Sequence, residues 1–169
     1  PSALLASGAR VPYPPGTADY HHEMELVVVI GAPGFRVAQA DAHRLVYGYA
    51  CGLDMTRRDL QLAARDKGRP WDLGKDIEHG AVISEVVPMP GAVIEHGEIV
   101  LQVNGHVRQR SDVARLIWRI PELIADLSTF LPSANEAPMC MDADGRYWQA
   151  AADKIRRVEL NKYGGGDVA

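Results

Sequence analysis

Glu23 and Glu25 stand two apart in Tyr20–Ile30, a segment whose polar start gives way to Leu-Val-Val-Val-Ile. The β-branched run predicts a strand, and strand alternation places both carboxylates on one face, roughly 7 Å apart by the strand rise. Like charges that close raise each other's pKa unless something positive lies between them. A hard divalent cation meets that need, because Mg2+ takes carboxylate oxygens and waters. Asp54 follows a second apolar run, Leu45 to Leu53, where a strand-to-helix turn would expose it as a third oxygen ligand. Glu-x-Glu on a strand is more often a solvated face, and spacing alone leaves that reading open. His21 and His22 are chain neighbours. On a strand they point to opposite faces, which makes them poor co-ligands and suits at least one to a structural hydrogen bond.

Basic residues follow Asp54 closely: Arg57, Arg58, Lys67, Arg69 and Lys75. Arg58 and Gln61 are three apart, so a helix would set them on one face. They lie within a turn of the helix start nearest Asp54, in reach of an anion bound at the metal. Arg57, Arg65 and Lys67 read as the wet side of an amphipathic helix. Lys75 follows Trp71-Asp72-Leu73-Gly74 and, alone, reads as an ordinary surface lysine.

The elements that must position these groups are legible in part. Pro12, Pro14, Pro15 and Gly16 make residues 1–19 loop-like. Ala38 to His43 fits a short helical turn. Gly48 and Gly52 in the second strand signal a bend or a close backbone approach. Thr56 and Asp59 resemble a capping box with Asp for the usual Glu, predicting a helix to about Lys67 that stops at Gly68. Asn104-Gly105 between strand-like runs predicts a hairpin over 98–110. Ser111-Asp112 then caps a helix with Leu116, Ile117 and Ile120 on one face, interrupted or restarted at Pro121. Residues 132–149 show no clear period, 153–160 fit a last strand, and Gly164-Gly165-Gly166 makes a flexible end. Strands outnumber helices, and the helices are grouped. The fold class is therefore β-rich α+β, in a single domain over 1–169.

The chain has 169 residues, 47% of them hydrophobic and 24% charged, so a packed core is expected rather than disorder. Its 18 Lys+Arg against 22 Asp+Glu give −4, which argues against nucleic acid or an anionic membrane as main partner. No apolar run reaches the ~20 residues of a membrane span. Two cysteines make neither a disulfide framework nor a thiol zinc site. No signal or transit pattern opens the sequence, and a cytoplasmic location is expected.

Taken together these segments resemble the fumarylacetoacetate hydrolase family. His21-His22-Glu23-Met24-Glu25-Leu26-Val27-Val28-Val29-Ile30-Gly31 is similar to its metal-binding strand. Gly52-Leu53-Asp54-Met55-Thr56-Arg57-Arg58-Asp59-Leu60-Gln61 resembles its third-ligand motif, and Gly68-Arg69-Pro70-Trp71-Asp72-Leu73-Gly74-Lys75 its substrate-lysine segment. Val103-Asn104-Gly105 and the Ile117-Trp118…Ile120-Pro121 stretch follow in the family's order, so the resemblance covers roughly 11–131. The Leu-Asp-Met-Thr form and the double His look most like the acylpyruvate-hydrolysing branch, which includes fumarylpyruvate hydrolases of aromatic-acid breakdown.

The resemblance implies a mixed β-sandwich roll, usually a homodimer. It implies Mg2+ or Mn2+ at Glu23, Glu25 and Asp54, with Arg58, Gln61 and Lys75 contacting a small anionic diketo-acid substrate. The implied reaction cleaves the carbon–carbon bond of a 2,4-diketo acid to pyruvate and a carboxylic acid, with the metal as Lewis acid. Two departures accompany it. The family's water-activating His and its Glu partner lie N-terminal to the metal strand, on a lid. The 22 residues before Glu23 read as the Pro-rich run that follows that lid, so the catalytic base is left unassigned. The family's Gly-Asp…Thr-Gly-Thr-Pro segment has no counterpart in Ser133 to Trp148, and the likeness resumes near Ala152-Asp153-Lys154-Ile155. An oxaloacetate decarboxylase of the same family, and a catalytically silent metal-binding fragment or paralogue, are the alternatives.

Overall fold

The computed structural model describes residues 3–130 and the backbone of two further strands, Met139–Met141 and Tyr147–Gln149. Nine strands are described: β1 (Leu4–Ala6), β2 (Tyr20–Ile30), β3 (Val46–Arg57), β4 (Ala81–Ile83), β5 (Val87–Pro88), β6 (Glu98–Val103), β7 (His106–Asp112), β8 (Met139–Met141) and β9 (Tyr147–Gln149). Three α-helices accompany them: α1 (Arg58–Arg65), α2 (Asp72–Lys75) and α3 (Ile120–Leu127), with 3-10 turns at Gln39–Leu45 and Val113–Arg115. This is the strand-rich α+β architecture expected from the sequence.

One sheet runs β1-β4-β3-β2-β8-β9, with β5 also pairing β3. Its spine is the long antiparallel β2/β3 pair, in register from Tyr20↔Arg57 to Ile30↔Val46 with one irregularity at Val29/Ile30. β1 lies parallel to β4. The second sheet is the hairpin β6/β7. Its turn residues Asn104 and Gly105 both have positive φ, 51° and 78°, as the Asn-Gly pair predicts.

Alternation along β2 sorts the core into two faces. On one face, Val28, Ile30 and Tyr49 pack with Ile120 and Ile124 of α3, and Met24, Leu53 and Met55 pack with Leu101 of the hairpin. On the other, Val27 and Val29 meet Ala50 and Ile83. Glu23 and Glu25 share this second face, continuing the Val27/Val29 row toward the start of the strand.

Several expectations need correction. The 1–19 region is not loop throughout, because Leu4–Ala6 pairs with β4. β3 does not end at Leu53: pairing with β2 carries it through Arg57, so Asp54 lies inside a strand and is 4% exposed. The Thr56/Asp59 capping box does not form. Arg57 is the N-cap and makes no side-chain cap bond, because the β2/β3 ladder claims the backbone through Arg57. α1 ends at Arg65, short of Lys67. Asp112 does cap, accepting from Ala114 N at 2.7 Å, but only a 3-10 turn follows. α3 restarts at Ile120 with Pro121 in its first turn, and Glu122 accepts from Arg119 N at 2.6 Å. Ile117 is consequently 91% exposed and does not share the buried face of Ile120. The close approach expected of a glycine is present at Gly48, where a Cβ would stand 2.3 Å from Val87 O of β5. The expected strand over 153–160 and the Gly164–166 end lie outside the described residues, as do the side chains of the departing 133–148 stretch.

Candidate functional site

The register of β2 and β3 builds the site. Glu23 pairs with Asp54 and Glu25 with Gly52, so the three acidic side chains emerge on one face of adjacent strands. One carboxylate oxygen from each of Glu23, Glu25 and Asp54 lies within 4.8 Å of the other two. Glu25 and Asp54 are buried. A buried, all-oxygen, triply anionic donor set suits a hard divalent cation such as Mg2+ or Mn2+, and suits soft metals poorly. The structure thus brings together all three residues expected as ligands. The solvated-face reading of Glu-x-Glu does not hold for Glu25, which is 8% exposed.

The three residues expected to meet substrate also converge here. Lys75 Nζ lies 2.7 Å from Glu23 Oε2, 2.9 Å from Asp54 Oδ2 and 2.6 Å from Thr56 Oγ1. Its side chain is 9% exposed, so the surface-lysine reading is corrected. What buries it is the one-turn helix α2, which packs on α1 so closely that a Cβ on Gly74 would stand 2.9 Å from the Gln61 backbone. Arg58 bridges the site, donating to Glu23 Oε1 and to Gln61 Oε1. That contact bears out the shared helix face of Arg58 and Gln61. Of the three residues expected on the wet side of a helix, Arg65 is exposed on α1 and Lys67 is exposed just beyond it, whereas Arg57 is the half-buried last residue of β3 and donates to Leu73 O at 3.2 Å.

Electrostatics follow from this packing. Burial pushes the Glu23 pKa up, but hydrogen bonds and charge from Lys75, then from Arg58, outweigh it and hold the carboxyl below its ordinary value. Glu23 is thus kept ionised. His21 pairs with Thr56 and shares the carboxylate face, whereas His22 pairs with Met55 and faces the other side. His21 Nε2 is 2.7 Å from Asp19 Oδ1, a structural contact of the kind the adjacent histidines suggested.

Two residues near the cluster escaped the sequence reading. Thr56 fits a helix cap on local sequence, yet it is 0% exposed and holds Lys75. Its position two residues after Asp54 on the same strand, hence on the same face, is the signal that finds it. Asp59, the other half of the expected cap, instead accepts from Thr17 Oγ1 at 2.6 Å and Ala18 N at 3.0 Å. Together with the bond from Arg58 N to Asp19 O at 2.8 Å, this clasps the entry of β2 to the start of α1.

Residues 1–135 match the model of the fumarylacetoacetate (FAA) hydrolase C-terminal domain. The chain belongs to the fumarylacetoacetate hydrolase family. Within that family it is 65% identical over 130 residues to a fumarylpyruvate hydrolase of Ralstonia sp., covering 77% of this chain and 68% of that one. It is 36% identical over 131 residues to a mitochondrial oxaloacetate tautomerase of Homo sapiens, covering 77% of this chain and 59% of the relative. The chain thus spans about three fifths to two thirds of these relatives' lengths. Its fold is similar to the crystal structure of a fumarylpyruvate hydrolase from Pseudomonas aeruginosa in complex with Mn2+ and pyruvate. The TM-score is 0.72 at 36% identity, over 83% of this chain and 70% of that one.

Proposed function

We propose that this protein hydrolyses a 2,4-diketo acid of the acylpyruvate class, fumarylpyruvate foremost, to pyruvate and a carboxylic acid. The observation that carries this reading is the convergence of Glu23, Glu25 and Asp54 with Lys75 and Arg58 on one sheet face. The 65% identity to a fumarylpyruvate hydrolase supports the choice of substrate. Glu23, Glu25 and Asp54 are the residues that would hold Mg2+ or Mn2+, which acts when bound as a Lewis acid toward the carboxylate and keto oxygens of the substrate head.

The chain's own residues bind and orient the substrate. Arg58 and Lys75 offer two positive groups beside the cluster, matching a substrate with two carboxylates. Gln61, buried and bonded to Arg58, orients that guanidinium and presents a carboxamide. Thr56 holds the Lys75 ammonium on the substrate side of the sheet. In the reaction, water adds to the carbonyl carbon remote from the pyruvoyl head and the adjacent carbon–carbon bond breaks. The departing pyruvate enolate takes a proton at its methylene carbon. A homodimer, a cytoplasmic location and a role in aromatic-acid breakdown belong to the same proposal, as does a single domain over 1–169.

Oxaloacetate is the second substrate reading, favoured by relatives 36–39% identical that are named oxaloacetate tautomerases. It shares the 2-keto acid head, and decarboxylation to pyruvate requires no added water. Product analysis separates the two. Fumarylpyruvate turned over to equal amounts of fumarate and pyruvate supports hydrolysis, and carbon dioxide from oxaloacetate with fumarylpyruvate untouched overturns it. Glu25→Ala is expected to abolish the hydrolysis, and normal turnover by that variant refutes the assigned site.

A further inference from the structure

We propose that Gln109, on the hairpin, is a positioning residue for the Glu23/Glu25 carboxylate pair. The proposal rests on reading Glu23, Glu25 and Asp54 as the cation site. Gln109 Oε1 accepts from Met24 N at 2.8 Å, and Gln109 Nε2 donates to Met24 O at 2.8 Å. Met24 is the residue between the two glutamates. The planar unit joining Glu23 to Met24 carries the Met24 N–H, and the unit joining Met24 to Glu25 carries the Met24 C=O. One carboxamide therefore holds the outward group of both peptide planes that connect the two carboxylate-bearing Cα atoms.

The sheet holds only one group of each plane, the Glu23 C=O and the Glu25 N–H on the β3 side, and leaves the outward group of each to be held otherwise. Successive residues of a strand turn their backbone groups to alternate edges, so Met24 bonds away from β3 while Glu23 and Glu25 face it. On that outer edge the described pairing with β8 covers only Val28, Val29 and Ile30. Gln109 occupies the place a neighbouring strand would take at Met24. Its aim comes from the hairpin's irregular register. Gln102 pairs with Val107 but Leu101 pairs with Gln109, so Arg108 is an extra residue on β7. The bulge turns Gln109 to the same side as Leu101, which is 1% exposed and packs with Met24. A regular ladder would have set Arg108 there instead.

A carboxamide is the side chain with a donor and an acceptor in this fork. Glutamate lacks the donor when ionised, methionine lacks both groups, and asparagine is one methylene short. Without the fork, both planes are held from the β3 side alone, and the freedom regained at their outward edge must be removed on cation binding. The cost falls on metal affinity more than on folding.

The test measures the Mn2+ dissociation constant by calorimetry and the unfolding temperature of the metal-free 169-residue chain. Four proteins are compared: wild type, Gln109→Met, Gln109→Asn and Leu101→Val. Leu101→Val loosens the same hairpin core but keeps the fork, and it is expected to lower the unfolding temperature without moving the dissociation constant. Gln109→Met and Gln109→Asn are each expected to weaken Mn2+ binding by about tenfold. Should Gln109→Met not fold, Gln109→Asn carries the comparison alone. Wild-type affinity in the Gln109 variants overturns the proposal. So does equal weakening in Leu101→Val at a matched loss of unfolding temperature, which would make Gln109 merely structural. A wild-type chain that takes up no Mn2+ removes the cation reading itself, a failure distinct from that of Gln109.

Discussion

Lys75 is the residue whose chemistry the site depends on most visibly. Its ammonium lies against Glu23, Asp54 and Thr56, and it balances charge that burial would otherwise make costly. A divalent cation held by Glu23, Glu25 and Asp54 would compete with this ammonium for the same carboxylate oxygens. With a cation there to supply the balance, the Lys75 ammonium would be available to a substrate carboxylate. Lys75→Met should therefore act in opposite directions on two measurements. The metal-free protein should lose about 3 kcal/mol in a denaturant melt, because a buried pair is broken from one side. Its Mn2+ affinity should rise, because the competing cation is gone, while turnover falls. Weaker Mn2+ binding in Lys75→Met would contradict this account. None of this was readable from Lys75 in isolation. Its burial comes from α2 seating Gly74 against Gln61, a contact between segments that no local pattern encodes.

At the scale of elements, the site depends on how β2 enters the sheet beside α1. Asp59 of α1 accepts from Thr17 Oγ1 and from Ala18 N, just ahead of β2. The hydrogen bond from Thr17, then that from Ala18, holds the Asp59 carboxyl below its ordinary pKa. A folded pKa below the unfolded one gives stability that is present above the unfolded value and lost as pH falls through the folded one. Melts of wild type and Asp59→Asn should accordingly differ at neutral pH, with wild type the more stable, and converge in acid. A difference that persists undiminished below the carboxylate range would contradict the role given to Asp59. The same elements show what the sequence could reveal. β2 was legible to its ends because its pattern is local: polar residues, then a β-branched run. The Asn104-Gly105 turn was legible because its backbone demands those residues. Asp54 does lie beside Glu23 and Glu25, but in another setting than the expected strand-to-helix turn. Its burial follows from β3 pairing with β2 out to Arg57, and such pairing is non-local. Thr56 and Asp59 fitted a helix cap equally well on local chemistry. The ladder and the Thr17 clasp outcompeted it.

Across the whole molecule, the two faces of the main sheet divide the labour. One face carries α3 and the hairpin on a hydrophobic core, and it fixes the strands. The other presents the carboxylates and the basic groups that answer them. Family membership, the all-oxygen cluster and the two basic groups beside it all support the proposed reaction, metal-dependent hydrolysis of an acylpyruvate. The most direct test follows pyruvate formation from fumarylpyruvate, first with Mn2+, then after chelation with EDTA, then after Mn2+ is restored. The account predicts pyruvate matched by fumarate, abolished by the chelator and recovered with the metal. Pyruvate formation that persists through chelation, or fumarylpyruvate left intact in the presence of Mn2+, would contradict it.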